Sequence, residues 1–265
     1  LRGLSRLLYF TSVFVLGSAF ALAVRAILPI RTYRRIRPEL TRKLGRILIC
    51  ASNIRIRHEG PPPPEGSLIV SNHLSWADSF TFLGELGCRF MANHLYGEIM
   101  GFRAVLKSVG VEFINRMSLK AVGPARELME RILSRGESLM IFPEGRTSRG
   151  ASVRPFRTAL LQVAVDLGIP VSWATVSYET PEGWPPASVV ITHIYRAFHA
   201  PRIICRISYG GAGIATDNRR TLAQSLHDAV ATRFRPMPQL SKEALRRIDV
   251  VKKVARQIVF GDRNE

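Results

Sequence analysis

Strand-length apolar runs recur along this chain with helix-length stretches between them, and that alternation limits the possible folds more than any other feature. The runs are SLIVSN at 67–72, CRFMAN at 88–93, VEFI at 111–114, SLMIF at 138–142 and VSWATVSY at 171–178. They are short and nearly continuously apolar, as strands buried on both faces are. The stretches between them, near 75–86, 97–108, 118–134 and 154–167, have the length of helices. Repetition of this unit predicts an α/β domain, a mixed central sheet flanked by helices. Further strands are expected at 53–58, where NIRIRH alternates apolar and polar residues, and at 188–194 and 202–208. Helices are expected over 219–234 and, as a basic terminal helix, over 241–259. The segment EGPPPPEG at 59–66 carries four prolines without amide donors and reads as a stiff surface loop.

The amino-terminal region follows a different pattern. From Leu7 to Val24 run 18 residues without a charge, which as a helix reach about 27 Å, close to the thickness of a bilayer core. Arg25 follows, then Pro29, so the segment either crosses with a tilt or enters one leaflet and turns back near Pro29. Arg2 and Arg6 before the run and ALA at 21–23 also fit a secretory signal peptide. The cluster Arg31, Arg34, Arg35, Arg37, Arg42, Lys43 and Arg46 outweighs the charges on the other side and favours an anchor, with the rest of the chain on the cytoplasmic face of the membrane. Between 32 and 51, Tyr33, Ile36, Leu40, Leu44, Ile47 and Leu48 form one apolar stripe on a basic helix. That helix suits an anionic headgroup layer and packing against the domain equally well. The expected organisation is a membrane-associated helical segment over 1–51, the α/β domain over 52–240 and a basic tail over 241–265.

With 38 Lys and Arg against 20 Asp and Glu, the net charge of +18 calls for an anionic partner: nucleic acid, anionic lipid or an acidic carrier protein. Only six of the 38 are lysines, so planar, bidentate contact with phosphate or carboxylate is favoured, although genomic base composition accounts for the bias as well. No nucleic-acid module is recognisable, and aromatics are not interleaved with the basic clusters, which argues against nucleic acid. Cys50, Cys88 and Cys205 are far apart and lack CxxC spacing, so neither a disulfide framework nor a zinc site is expected. They read as three small buried hydrophobes.

Three constellations carry chemistry. In NHLSWAD at 72–78, Asn72 and His73 stand where a strand ends, and Asp78 stands in the first turn of a helix. Residues five apart on one helix are about 140° apart around its axis, so His73 and Asp78 can face each other only across a turn. A carboxylate holding one imidazole nitrogen leaves the other as a base, and a substrate hydroxyl can take the place of the serine of a Ser-His-Asp triad. FPEGRTSRG at 142–150, beyond the run SLMIF, offers Glu144 and Arg146 on either side of Gly145 for a polar headgroup. GVEFINR at 110–116 ends a strand on Arg116. Taken singly, a capping Asp, a charged surface loop and a charged strand end are the more frequent explanations of these segments.

Together, in this order, they resemble the glycerophospholipid acyltransferase family, which includes lysophosphatidate acyltransferases. NHLSWAD resembles its Asn-His-x-x-x-x-Asp block, GVEFINR its second block with Arg116 at the phosphate-binding arginine, and GIPVSWATV at 168–176 its proline-containing fourth block. RPFRTALLQVAVDLGIP at 154–170 is similar to the stretch after the third block, with Arg157 where a lysine is usual. The third block departs from the family: EGTRS is usual and this chain has EGRTS. Glu144 and Gly145 carry over, whereas the phosphate-binding role falls to Arg146, Arg149 or Arg157. The resemblance implies catalysis by His73 and Asp78 and acceptor binding by Asn72, Arg116, Glu144, Gly145 and those arginines. It implies a thioester donor, acyl-CoA or acyl carrier protein, with no metal or other cofactor, and a lysolipid acceptor taken from the bilayer. Lysophosphatidate is the simplest acceptor, and another lysolipid, such as lyso-ornithine lipid, is compatible. A non-catalytic basic lipid-binding protein is the reading from another class.

Overall fold

Each short apolar run becomes a strand, only half-buried at 111–114, in the computed structural model, which describes residues 2–93, 102–114, 122–179, 198–199 and 202–237. The strands are β1 (Ile54–Glu59), β2 (Leu68–Ser71), β3 (Arg89–Asn93), β4 (Val111–Ile114), β5 (Leu139–Ile141), β6 (Val171–Glu179) and β7 (Ile203–Ile214). They form one sheet in the order β1-β7-β6-β2-β5-β3-β4. Pairing is parallel everywhere except between β6 and β7, so the sheet is mixed and helix-flanked, the predicted class.

The sheet separates two apolar layers because side chains alternate across a strand. Ile69, Met140, Ala174 and Val176 point to one layer, where they meet Ile49, Phe82 and Leu83. Leu68, Val70, Leu139, Ile141 and Val171 point to the other and meet Met129, Val163, Leu222 and Leu226. The helices are α1 (Arg2–Ile27), α2 (Ile30–Ala51), α3 (Ala77–Leu86), α4 (Phe102–Ser108), α5 (Val122–Leu133), α6 (Gln162–Leu167) and α7 (Arg219–Arg233). Helix α2 crosses α3 at a glycine pair: a Cβ on Gly45 would stand 2.4 Å from the Gly84 backbone nitrogen.

Several expectations are corrected. The helix foreseen over 154–167 begins only at Gln162. Pro155 disfavours helical backbone at Arg154, and the Arg157 amide donates to the Pro143 carbonyl instead of to a helical turn. β7 runs to Ile214, six residues past the expected end, because beyond Ser208, where its pairing with β1 stops, it continues to pair along β6 to Val171. The buried stripe of α2 is rotated from the apolar one: Tyr33, Arg37, Thr41, Leu44 and Leu48 are covered, while Ile36 and Ile47 are exposed. Arg37 tolerates this position because it pairs with Glu137 at 3.0 Å. Cys88 and Cys205 are buried, but Cys50 faces outward at the end of α2. The strand expected at 188–194 and the helix at 241–259 lie outside the described residues.

Candidate active site

Parallel pairing places two loops side by side. β2 lies next to β5 with Val70 opposite Ile141, so the segments beginning at Asn72 and Phe142 leave the sheet at the same end. β6 flanks β2 on its other side, with Ser71 opposite Ala174, and brings its carboxyl end to the same place. Crevices beyond the carboxyl ends of strands are where α/β sheets collect reactive groups.

Residues 72–75 belong to no helix or strand, and the chain then turns into α3, which swings Asp78 back over His73. His73 Nδ1 lies 2.8 Å from Asp78 Oδ2. The same oxygen accepts the amides of Leu74 at 2.7 Å and Ser75 at 2.9 Å, and Oδ1 accepts the Tyr178 hydroxyl at 2.6 Å. Asp78 has no exposed surface. Donors arranged in this way meet the hydrogen-bonding need of a buried carboxyl group. Burial, then the adjoining Asp78 charge, push the Tyr178 phenol well above its ordinary range, so it remains a proton donor to Asp78. The His73 ring stacks on Phe142, with centroids 4.1 Å apart and planes 11° from parallel. Its orientation is therefore set from two directions.

The FPEGRTSRG loop is stitched to this pair through backbone. Glu144 Oε1 accepts the His73 amide at 3.2 Å, and the Ser148 amide donates to the His73 carbonyl at 2.8 Å. Glu144 is buried, and desolvation raises its carboxyl to about 7, against the pull of the His73 and Arg154 amides. Gly145 has φ +76°, a left-handed conformation that side chains rarely adopt, and its bare flank is covered by the Arg157 guanidinium, 2.9 Å from where a Cβ would be. Arg157 therefore lies on the Glu144–Gly145 turn, while Arg146 and Arg149 are exposed. Asn72 is fully buried, and its amide pairs both ways with Val176: Nδ2 donates to the carbonyl at 2.8 Å and Oδ1 accepts the amide at 2.8 Å. Arg116 lies outside the described residues. Among the described residues no cluster of His, Cys, Asp and Glu is arranged to hold a metal ion.

Sequence reasoning missed three neighbours: Tyr178, Phe142 and Arg154. Tyr178 lies 100 residues from Asp78 in sequence and looks like any aromatic in a strand. Its only sequence signal is parity, since Tyr178 shares a face of β6 with Ala174 and Val176.

The sequence model of the family described as Acyltransferase matches residues 53–177, a span that includes both loops. The chain is 34% identical over 141 residues to a 1-acyl-sn-glycerol-3-phosphate acyltransferase of Neisseria meningitidis serogroup B, covering 51% of this chain and 54% of that protein. The chain thus spans about half the length of the Neisseria relatives it matches. It is 30% identical over 205 residues to a lyso-ornithine lipid O-acyltransferase of Pseudomonas aeruginosa, covering 71% of this chain and 74% of that protein. In fold it is similar to the crystal structure of the 1-acyl-sn-glycerophosphate acyltransferase PlsC from Thermotoga maritima, with a TM-score of 0.65 at 20% identity over 90% of this chain and 98% of that one.

Proposed function

We propose that this chain, which belongs to the acyltransferase family, moves a fatty acyl group from a thioester donor to the free hydroxyl of a lysolipid, with 1-acylglycerol-3-phosphate as acceptor and phosphatidate as product. The observation that carries the reading is the 2.8 Å contact between His73 Nδ1 and a buried Asp78. With Nδ1 held by the carboxylate, Nε2 serves as the base. It takes the proton of the acceptor hydroxyl as that oxygen attacks the thioester carbonyl. The tetrahedral intermediate then expels the thiolate, which takes the proton back from Nε2. One C–O bond forms, one C–S bond breaks, and no acyl-enzyme is needed. Asn72, bonded on both sides to β6, positions the strand end that carries His73, and Glu144 positions the same residue through its amide. Arg157, on the Glu144–Gly145 turn, and the nearby Arg146 and Arg149 supply cations for the acceptor's phosphate, with Arg116 as a further candidate. The donor is acyl-CoA or acyl carrier protein.

The reaction takes place at the cytoplasmic face of the membrane, with α1 lying in one leaflet. An 18-residue window of α1 within Gly3–Ile27 has a mean hydropathy of 2.1 and is only 17% buried. It touches the domain along its length, from Phe10 beside Trp76 and Phe80 to Gly17 against Leu44 and Ser18 bonded to Ser108. Crossing the bilayer upright would drag the packed domain in with it, so a tilted or in-plane pose is favoured.

A second acceptor is supported by the longer match to the lyso-ornithine lipid O-acyltransferase and by the EGRTS order of the third block. Both readings are tested by incubating the purified protein with labelled acyl-CoA or acyl carrier protein and a panel of lysolipids. Transfer to lysophosphatidate is expected, and His73→Ala should slow it by about 10²–10⁴-fold. Preferred transfer to lyso-ornithine lipid selects the second reading. Absence of transfer to every acceptor, or an undiminished His73→Ala variant, sinks the assignment of the dyad.

A further inference from the structure

A cavity of about 370 Å³ opens at the end of the sheet opposite the dyad. Arg89 contributes to its wall from the first position of β3, in register with Leu139 and, through it, with Leu68. His73 lies five residues beyond Leu68, which puts it roughly 16 Å farther along the strand direction at about 3.3 Å per residue. The cavity is thus separate from the proposed reaction centre.

Its charge is unbalanced. Arg37, Glu137, Arg89 and Glu112 form a chain of ion pairs, with Arg37 to Glu137 at 3.0 Å, Arg89 to Glu137 at 2.7 Å and Arg89 to Glu112 at 2.7 Å. Two cations there meet two carboxylates. Arg25, Arg34, Lys107, Arg131 and Arg135 also line the cavity, and among the described residues none of the five pairs with a carboxylate. Converging like charges repel, and a bound anion relieves that repulsion.

Further uncompensated donors lie in the cavity wall. Arg37 is 1% exposed and forms part of the wall, yet its Nε and Nη1 meet no acceptor among the described residues. Guanidinium donors left unmade in the interior are costly, and burial together with the nearby Arg89 lowers the pKa of this group. The planar fork of an arginine matches the oxygens of a phosphate. The flank is apolar on the side of the amino-terminal helices. Leu22 and Ile30 line the cavity, and Ile27 between them is 79% exposed.

We propose that this cavity binds the phosphate of an anionic membrane phospholipid, with its acyl chains leaving over Leu22, Ile27 and Ile30 along α1. A free phosphate or the phosphates of coenzyme A would satisfy the cations but would leave the apolar rim unused. The proposal rests on α1 lying in the membrane and not on acyl transfer, so a binding measurement tests it apart from the dyad.

The measurement is thermal unfolding of the full chain with short-chain phosphatidylglycerol below its micelle concentration, since a ligand that binds only the folded state raises the melting temperature. Phosphatidylglycerol should raise it and phosphatidylcholine of the same chain length should do so far less. The double variant Arg131→Ser/Arg135→Ser, made at two exposed positions, should bind phosphatidylglycerol at least tenfold more weakly. Arg55→Ser/Arg57→Ser, an equal charge loss on the exposed positions of β1, should bind it like the original. Equal weakening of both double variants would mean diffuse attraction and overturn the site. So would the absence of any shift with phosphatidylglycerol. An equal shift with inorganic phosphate or coenzyme A would assign the cavity to a soluble phosphate ester and overturn the lipid.

Discussion

Four donors converge on the fully buried Asp78 carboxylate: His73, the amides of Leu74 and Ser75, and the Tyr178 hydroxyl. Three of these are local and lie within NHLSWAD, where the turn is legible from spacing alone. The fourth is not, because only the placement of β6 beside β2 brings Tyr178 to Asp78. Glu144 makes a prediction at this scale. Its carboxyl is raised from 4.5 to about 7 by burial, so the folded protein holds a proton that the unfolded chain has released. Its contribution is most favourable below about pH 4.5 and is lost as pH rises towards about 7, with a limiting slope of about 1.4 kcal/mol per pH unit. In Glu144→Gln that part of the dependence should vanish, leaving the variant more stable relative to the original at pH 8 than at pH 5. Denaturant melts at the two pH values measure this, and an unchanged pH slope would contradict the assignment.

Helix α2 shows how an element can be found correctly and turned partly out of register. Its apolar stripe shares Tyr33, Leu44 and Leu48 with the face that the fold buries, but leaves Ile36 and Ile47 exposed. That face carries Arg37 and Thr41, and it became the inner one because Glu137 supplies a partner for the guanidinium and Gly45 allows contact with α3. Periodicity weighs each side chain by its own polarity and cannot know of a carboxylate 100 residues away. Close approach at Gly45 gives the test. Gly45→Val forces a side chain into the Gly84 backbone, and overpacking of this kind costs about 1–3 kcal/mol. The expected readout is a lower urea midpoint with an unchanged slope; an unaltered midpoint would mean that the two helices do not need the contact.

Across the whole molecule, α1 joins the two ends of the domain. Its Phe10 packs near the dyad's side of the fold against Trp76, Phe80 and Phe198, and its last turns reach the basic cavity through Leu22 and Arg25. The outer face retains Leu8, Leu16 and Phe20, each more than half exposed. If that face enters the bilayer, each side chain contributes at least about 1.5 kcal/mol, so Leu8→Ser/Leu16→Ser/Phe20→Ser should weaken flotation with vesicles roughly a thousandfold. Retained flotation would place the membrane contact elsewhere. The order of strands and helices, the polar loops after SLIVSN and SLMIF taken one by one, and the turn that joins His73 to Asp78 were determined by the sequence, because they depend on local periodicity and short spacing. Tyr178 on Asp78, Glu144 on the His73 amide, the turned face of α2 and the ring of cations around Arg37 were decided only by tertiary structure. Each of these joins residues distant in the chain, and their proximity follows from strand order and helix packing, which no local pattern encodes.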